Sequence, residues 1–163
     1  MVRDAEKKKT LLHEWLVPFL PTRAVRILDS GSILEKASVQ QRLSTLSGNC
    51  PNTFSIYVLF SETTEGLVPV YIGKADQPLV RWGQHLDGWL AGSGVYGGWR
   101  RALLDDQGKA RTALTLLVVP GTDITRPPIP GFPTTVGAVE YQLVGLAGDA
   151  YPGRLLNHEG VGR

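Results

Sequence analysis

The sequence predicts an α+β fold: a small three-stranded antiparallel sheet flanked by helices, with an N-terminal helical arm. Three observations predict it. The apolar runs "FSIYVLF" (54–60) and "LVPVYIG" (67–73) flank the polar stretch "SETTEG" and read as a β-hairpin. A third apolar run, "TALTLLVV" (112–119), is short and rich in β-formers, so it reads as a strand. Segments with helical spacing of apolar residues precede, separate and follow these runs. Helices packed on an antiparallel sheet make an α+β layer arrangement.

From the N-terminus, residues 4–17 place Leu11, Leu12, Trp15 and Leu16 on one helical face, and Pro18 and Pro21 end the helix. "AVRILDSGS" (24–32) reads as a short strand and turn. "ILEKASVQQRLSTLSG" (33–48) reads as a second helix closed by Gly48, and "NCPN" follows as a loop. Residues 1–50 are therefore expected to be a helical arm of the same compact unit, ahead of a domain at 51–163. A hairpin centred near Thr64 sets Phe60 opposite Val68 and Val58 opposite Val70. Side chains alternate, so Ile56, Val58, Phe60, Val68, Val70 and Ile72 share one face, and Tyr57 and Tyr71 share the other.

Gly73 is then expected to make a turn, Asp76 to cap a helix, and Pro78 to sit in its first turn. Leu79, Trp82, Leu86 and Leu90 form its apolar stripe, with Arg81 and His85 beside it at i, i+4. "GSGVYGGWRRALLDDQG" (92–108) reads as a turn and a short helix. "PGTDITRPPIPGFPTT" (120–135) is a Pro-rich loop too short to be a domain linker. "VGAVEYQLVGLAG" (136–148) is a last helix that turns Val136, Val139, Leu143 and Leu146 inward, with Glu140 next to that stripe.

Composition sets the bounds. The chain has 163 residues, 42% hydrophobic and 20% charged, ordinary for one globular domain. No apolar run approaches the roughly 18 residues of a membrane span. The stretch "LLHEWLVPFL" is short, broken by His13, Glu14 and Pro18, and lacks a cleavage site, so no signal peptide is expected. The lone cysteine, Cys50, excludes an internal disulfide framework and a Cys-based zinc site, and fits a reduced, cytoplasmic setting. A net charge of +2 neither demands nor excludes nucleic acid, because the placement of cations matters more than their sum. Arg100, Arg101, Lys109 and Arg111 surround the start of the third strand and are the expected phosphate contacts outside the site. His13 and His158 have no partner at metal-ligand spacing.

The residues that carry chemistry come in order. "SIY" (55–57) and "YIG" (71–73) set two tyrosines on the hairpin; Lys74 and Arg81 follow, then His85, Glu140 on the last helix, and Asn157 in "LLN". Singly, these are strand tyrosines, solvated helix residues and a turn asparagine. As an ordered set over about residues 54–158 they resemble the GIY-YIG nuclease family, and "PVYIGKA" is most similar to its restriction-enzyme members. Ser55 stands where the family's name has Gly; serine is small and fits a strand.

The resemblance implies a metal-dependent endonuclease that hydrolyses phosphodiester bonds to 5′-phosphate and 3′-hydroxyl ends. It implies that a hairpin tyrosine, Tyr57 first, positions or deprotonates water. A free tyrosine, with a pKa near ~10, needs a cation such as Lys74 or a metal to lower it. His85, near ~6.5, is the alternative base or relay. Arg81 offers a planar fork to phosphate oxygens. Lys74 and Arg81 also count among the DNA-binding cations. Glu140 would hold one Mg²⁺ or Mn²⁺ per site, and Asn157 would lock the site by hydrogen bonding. No C-x-x-C module and no helix-turn-helix tail is evident. That favours double-strand cleavage of the restriction type by a homodimer on a symmetric target. The alternatives are a phage, mobile-element or structure-selective nickase, and a non-catalytic nucleic-acid-binding module on the same scaffold.

Overall fold

Four strands, not three, form the sheet. The computed structural model describes residues 2–46 and 53–157. The expectations for Gly48, Cys50, the "NCPN" loop and His158 lie outside those residues. The elements run α1 (Val2–Leu16), α2 (Leu20–Arg23), β1 (Ala24–Leu28), α3 (Lys36–Ser44), β2 (Ser55–Thr63), β3 (Gly66–Ala75), α4 (Pro78–Ala91), α5 (Tyr96–Leu103), β4 (Leu114–Pro120) and α6 (Val136–Ala150). The strand order is β1-β4-β2-β3, and every neighbouring pair is antiparallel.

The extra strand corrects the reading of residues 1–50 as a helical arm. β1 pairs with β4 through Ala24 opposite Leu117 and Val25 opposite Leu116. It gives the outer edge of β4 a hydrogen-bonding partner, where otherwise an apolar strand would stand unpaired. α1 packs on α6, and α3 packs on β1.

β2 and β4 are the inner strands, and each buries both faces. One face carries an apolar layer: Ile56, Val58, Phe60 and Ile72 with Leu12 and Leu16 of α1 and Val139, Leu143 and Ala147 of α6. The other carries Tyr57, Leu59 and Val70 with Trp82, Leu86 and Trp89 of α4 and Trp99 of α5. Val70 is therefore on the opposite face from the one expected. The hairpin register holds Ser61 opposite Val68 and Phe60 opposite Pro69, then shifts so that Leu59 faces Tyr71 and Tyr57 faces Gly73. A bulge at this shift leaves Val70 as the additional residue, and both Val70 and Tyr71 join the Tyr57 side.

Gly73 is inside β3 rather than at a turn. α4 starts after Gln77, which makes no side-chain cap, so Asp76 is not the cap; Pro78 occupies the first turn as expected. Trp89 is buried where Leu90 was expected, and Leu90 is exposed. The helix stops at Gly92, whose φ of 67° is left-handed and whose N–H bonds to Gly88 O. Thr135 caps α6 by accepting from Ala138 N at 3.3 Å. The Pro-rich loop before it is fastened down. Trp15 Nε1 donates to Arg126 O at 2.8 Å, and buried Gln142 accepts from Ile129 N and donates to Pro133 O. Among the described residues, no helix is long and apolar enough to cross a membrane.

Candidate active site

A cavity of about 390 Å³ opens between β3, α4, the start of α5 and α6. Tyr57, Tyr71, Lys74, Arg81, His85, Glu140 and Asn157 all line it, so every candidate reacting residue meets at one place. Each reaches it for a separate structural reason. β2 turns Tyr57 toward α4, and the bulge brings Tyr71 alongside, with ring centroids 6.1 Å apart and nearly parallel. The two rings do not sit directly across from one another, because Gly73 is the residue opposite Tyr57. A Cβ on Gly73 would stand 2.5 Å from Tyr57 Cζ and Oη. Only glycine leaves room there for the phenol to lie across the strand.

His85 lies one turn beyond Arg81 on α4 and is 1% exposed. Its imidazole is enclosed by the rings of Tyr57, Tyr71, Trp82, Tyr96 and Trp99, at centroid distances between 5.0 and 5.9 Å. Both ring nitrogens are used: Tyr57 Oη is 3.0 Å from Nε2, and Tyr96 Oη is 2.7 Å from Nδ1. Burial, then the nearby Arg81 charge, pushes the His85 pKa down to about 4, so the imidazole is neutral near pH 7. Burial also pushes the Tyr57 phenol well above its ordinary value, with the neighbouring Tyr71 adding to the rise and Arg81 opposing it. Tyr71 and Tyr96 are likewise raised, first by burial.

The rim is charged. Arg81 is exposed at the mouth, and its Nη1 donates to Gln84 Oε1 at 3.0 Å. Lys74 Nζ donates to Glu140 Oε1 at 3.2 Å, with 43% and 23% of the two side chains exposed. With the histidine and phenols neutral, the lining carries two cations and one carboxylate, a balance that suits an anionic ligand. The floor is closed by the C-terminal segment. Asn157 accepts from Ile72 N at 3.0 Å and donates to Ile72 O at 2.6 Å, and Leu156 N donates to Val70 O at 2.7 Å. These bonds occupy backbone groups of β3, an edge strand that would otherwise offer them to solvent.

The lining includes one carboxylate, Glu140. Among the described residues no three or more His, Cys, Asp or Glu side chains gather as they would around a chelated ion. Such a donor set does not fit zinc. It fits a hydrated hard cation that takes one protein oxygen and completes its shell with water and phosphate.

None of the outer basic residues is among those that line this cavity. Arg111 lies beside Glu62, Thr63 and Thr64 at the hairpin tip. That is six residues along β2 from Tyr57, or roughly 20 Å at strand rise. Arg100 Nη1 donates to the carbonyls of Trp89 and Leu90, each at 3.2 Å, and so caps the end of α4. Lys109 sits in the loop before β4, with its backbone N–H held by Asp105 at 3.0 Å, while Arg101 is exposed on α5.

Tyr96 and Trp99 were not singled out by sequence reasoning, yet both line the cavity. "VYGGWRR" alone offers no reason to pick them. The trace is Gly88, three residues after His85 on the same helical face, where a Cβ would overlap the Tyr96 ring. No family model, no curated protein and no solved structure matches the chain.

Proposed function

We propose that this chain is a GIY-YIG-type endonuclease that hydrolyses DNA phosphodiester bonds. The observation that carries the reading is the meeting of seven residues, spread from Tyr57 to Asn157, around one cavity with a cationic balance. Arg81, exposed at the mouth, grips phosphate oxygens as a planar fork. Lys74 adds a second cation that shifts between Glu140 and the substrate.

Tyr57 holds the attacking water. Its raised pKa keeps it a neutral phenol, so it does not wait as a phenolate. It accepts the water's proton as its own moves to His85 Nε2, 3.0 Å away. A phosphate seated on Arg81 offsets the guanidinium charge that, after burial, holds His85 down, and so makes the imidazole a better acceptor. Tyr71 packs the water side of the cavity, and Asn157 fixes the β3 backbone beneath it. Glu140 would hold one Mg²⁺ or Mn²⁺, which when bound supplies Lewis-acid support to the leaving oxygen.

On this reading the enzyme cuts double-stranded DNA in the cytoplasm, in the restriction manner, as a homodimer that serves two strands, and leaves 5′-phosphate and 3′-hydroxyl ends. The test is plasmid cleavage with Mg²⁺ or Mn²⁺, run beside DNA binding without metal, with the product ends sequenced. Metal-dependent cleavage with defined ends is expected. Binding with no cleavage under any divalent ion overturns the enzyme in favour of a binding module; neither binding nor cleavage overturns both.

A further inference from the structure

We propose that Tyr96 is the outlet of a proton relay, Tyr57–His85–Tyr96, that carries the attacking water's proton out of the site. The inference rests on the hydrolytic reading above and adds a residue and a direction to it. A neutral imidazole donates from one nitrogen and accepts at the other. His85 has a tyrosine hydroxyl on each, at 3.0 Å from Nε2 and 2.7 Å from Nδ1. When Tyr57 donates to Nε2, Nδ1–H must donate to Tyr96, and the Tyr96 proton is free to point elsewhere. The chain of hydrogen bonds therefore has a polarity.

Solvent access gives that polarity an end. Tyr57 is 2% exposed and His85 1%, so neither passes a proton to bulk water unaided. Tyr96 is only partly buried and sits on the cavity wall at the first residue of α5, after the Gly92 and Gly94 turns. A phenylalanine would satisfy its packing on Trp99, at 5.1 Å between ring centroids. The hydroxyl is what reaches Nδ1, and the absent side chain at Gly88 is what lets the ring come close. Without this outlet the proton would stay on His85 as an imidazolium inside five aromatic rings, in a site that disfavours charge.

The step balances. As the water oxygen bonds to phosphorus, its proton passes to Tyr57 Oη, the Tyr57 proton to Nε2, the Nδ1 proton to Tyr96 Oη, and the Tyr96 proton to solvent. The bond from phosphorus to the leaving oxygen breaks, and that oxygen takes a proton from solvent. All three side chains end neutral, with the imidazole in its other tautomer, and proton exchange between turnovers restores the first.

Two measurements test the relay. Single-turnover plasmid cleavage with Mg²⁺ compares wild type, Tyr96→Phe and Tyr96→Ala, with DNA affinity and melting temperature measured alongside. Tyr96→Phe should cut about 10²-fold more slowly, with wild-type affinity and melting. Tyr96→Ala should regain rate in proportion to added imidazole, which meets Nδ1 through the opened gap, while wild type should not respond. Separately, ¹⁵N spectra of the His85 ring should show Nδ1 protonated in the resting wild type. An unimpaired Tyr96→Phe, a Tyr96→Ala that imidazole does not rescue, or a ring protonated only at Nε2 overturns the relay alone. A wild type that cuts no DNA ends the hydrolytic reading and the relay together.

Discussion

The two faces of the sheet are built from the same strands and are chemically unlike. Toward α1 and α6, β2 and β3 present Ile56, Val58, Phe60 and Ile72 to a layer made mostly of aliphatic side chains, with Trp15 and Tyr151 among them. Toward α4 and α5 they present Tyr57, Tyr71 and Val70 to three tryptophans and His85. Among the described residues, the buried side-chain polar atoms without a partner are Trp82 Nε1 and Trp89 Nε1, both on this second face. Each unmet donor costs about 1–3 kcal/mol. The first face is closed by α1 and α6 and buries the polar Gln142 only with its amide bonded to the Pro-rich loop. The second holds Tyr57, Tyr71 and His85 around the cavity, so on the proposed reading stability and chemistry are divided across a single sheet.

Substitutions on either face test that division. The largest effect is expected at Glu140, which α6 lends to the cavity from the other face: Glu140→Ala should abolish cleavage, a loss of roughly 10⁴-fold. Its melting should stay near wild type, because the side chain stands at the rim; wild-type cleavage would refute the metal assignment. Next, Tyr57→Phe should slow cleavage about 10²–10⁴-fold, roughly 3–5 kcal/mol of barrier. DNA affinity measured in the same preparation separates this from lost binding.

On the opposite face, Leu143→Ala should cost about 2–5 kcal/mol of stability in urea unfolding. Cleavage per folded molecule should be unchanged, and a rate loss as large as that of Tyr57→Phe would erase the distinction between faces. The smallest effect is a pH dependence. His85 has its pKa lowered to about 4 from an ordinary 6.5, so below pH 6.5 the unfolded chain takes up a proton that the folded chain refuses. Its contribution is complete above pH 6.5 and is lost as pH falls toward 4. Between pH 6.5 and 5 the loss should be roughly 2 kcal/mol. Unfolding of a His85→Gln variant should show a shallower slope over the same range.

Much of this was legible in the chain, and the exceptions share a cause. The hairpin, β4, α4 and α6 declare themselves through local spacing, and the order of Tyr57, Tyr71, Arg81, His85, Glu140 and Asn157 marked the cavity. What was missed depends on partners distant in sequence. "AVRIL" reads as a strand, but nothing near it says that Leu116 and Leu117 lie beside it. The bulge at Val70 moves one residue to the other face without leaving a mark in the alternation. Arg100 reads as a free cation until the carbonyls of Trp89 and Leu90 are seen to hold it. Tyr96 belongs to the site through a contact with His85, and composition says nothing of contacts.

The Asn157 bonds have a consequence in time. They join residues 85 apart in sequence. Long closures are slow to reward the entropy they consume. A chain emerging from the ribosome acquires its tyrosines, guanidinium and imidazole well before the asparagine that seals them in. On the proposed reading, a copy in which these bonds have not yet closed carries the reactive groups without the floor that steadies them.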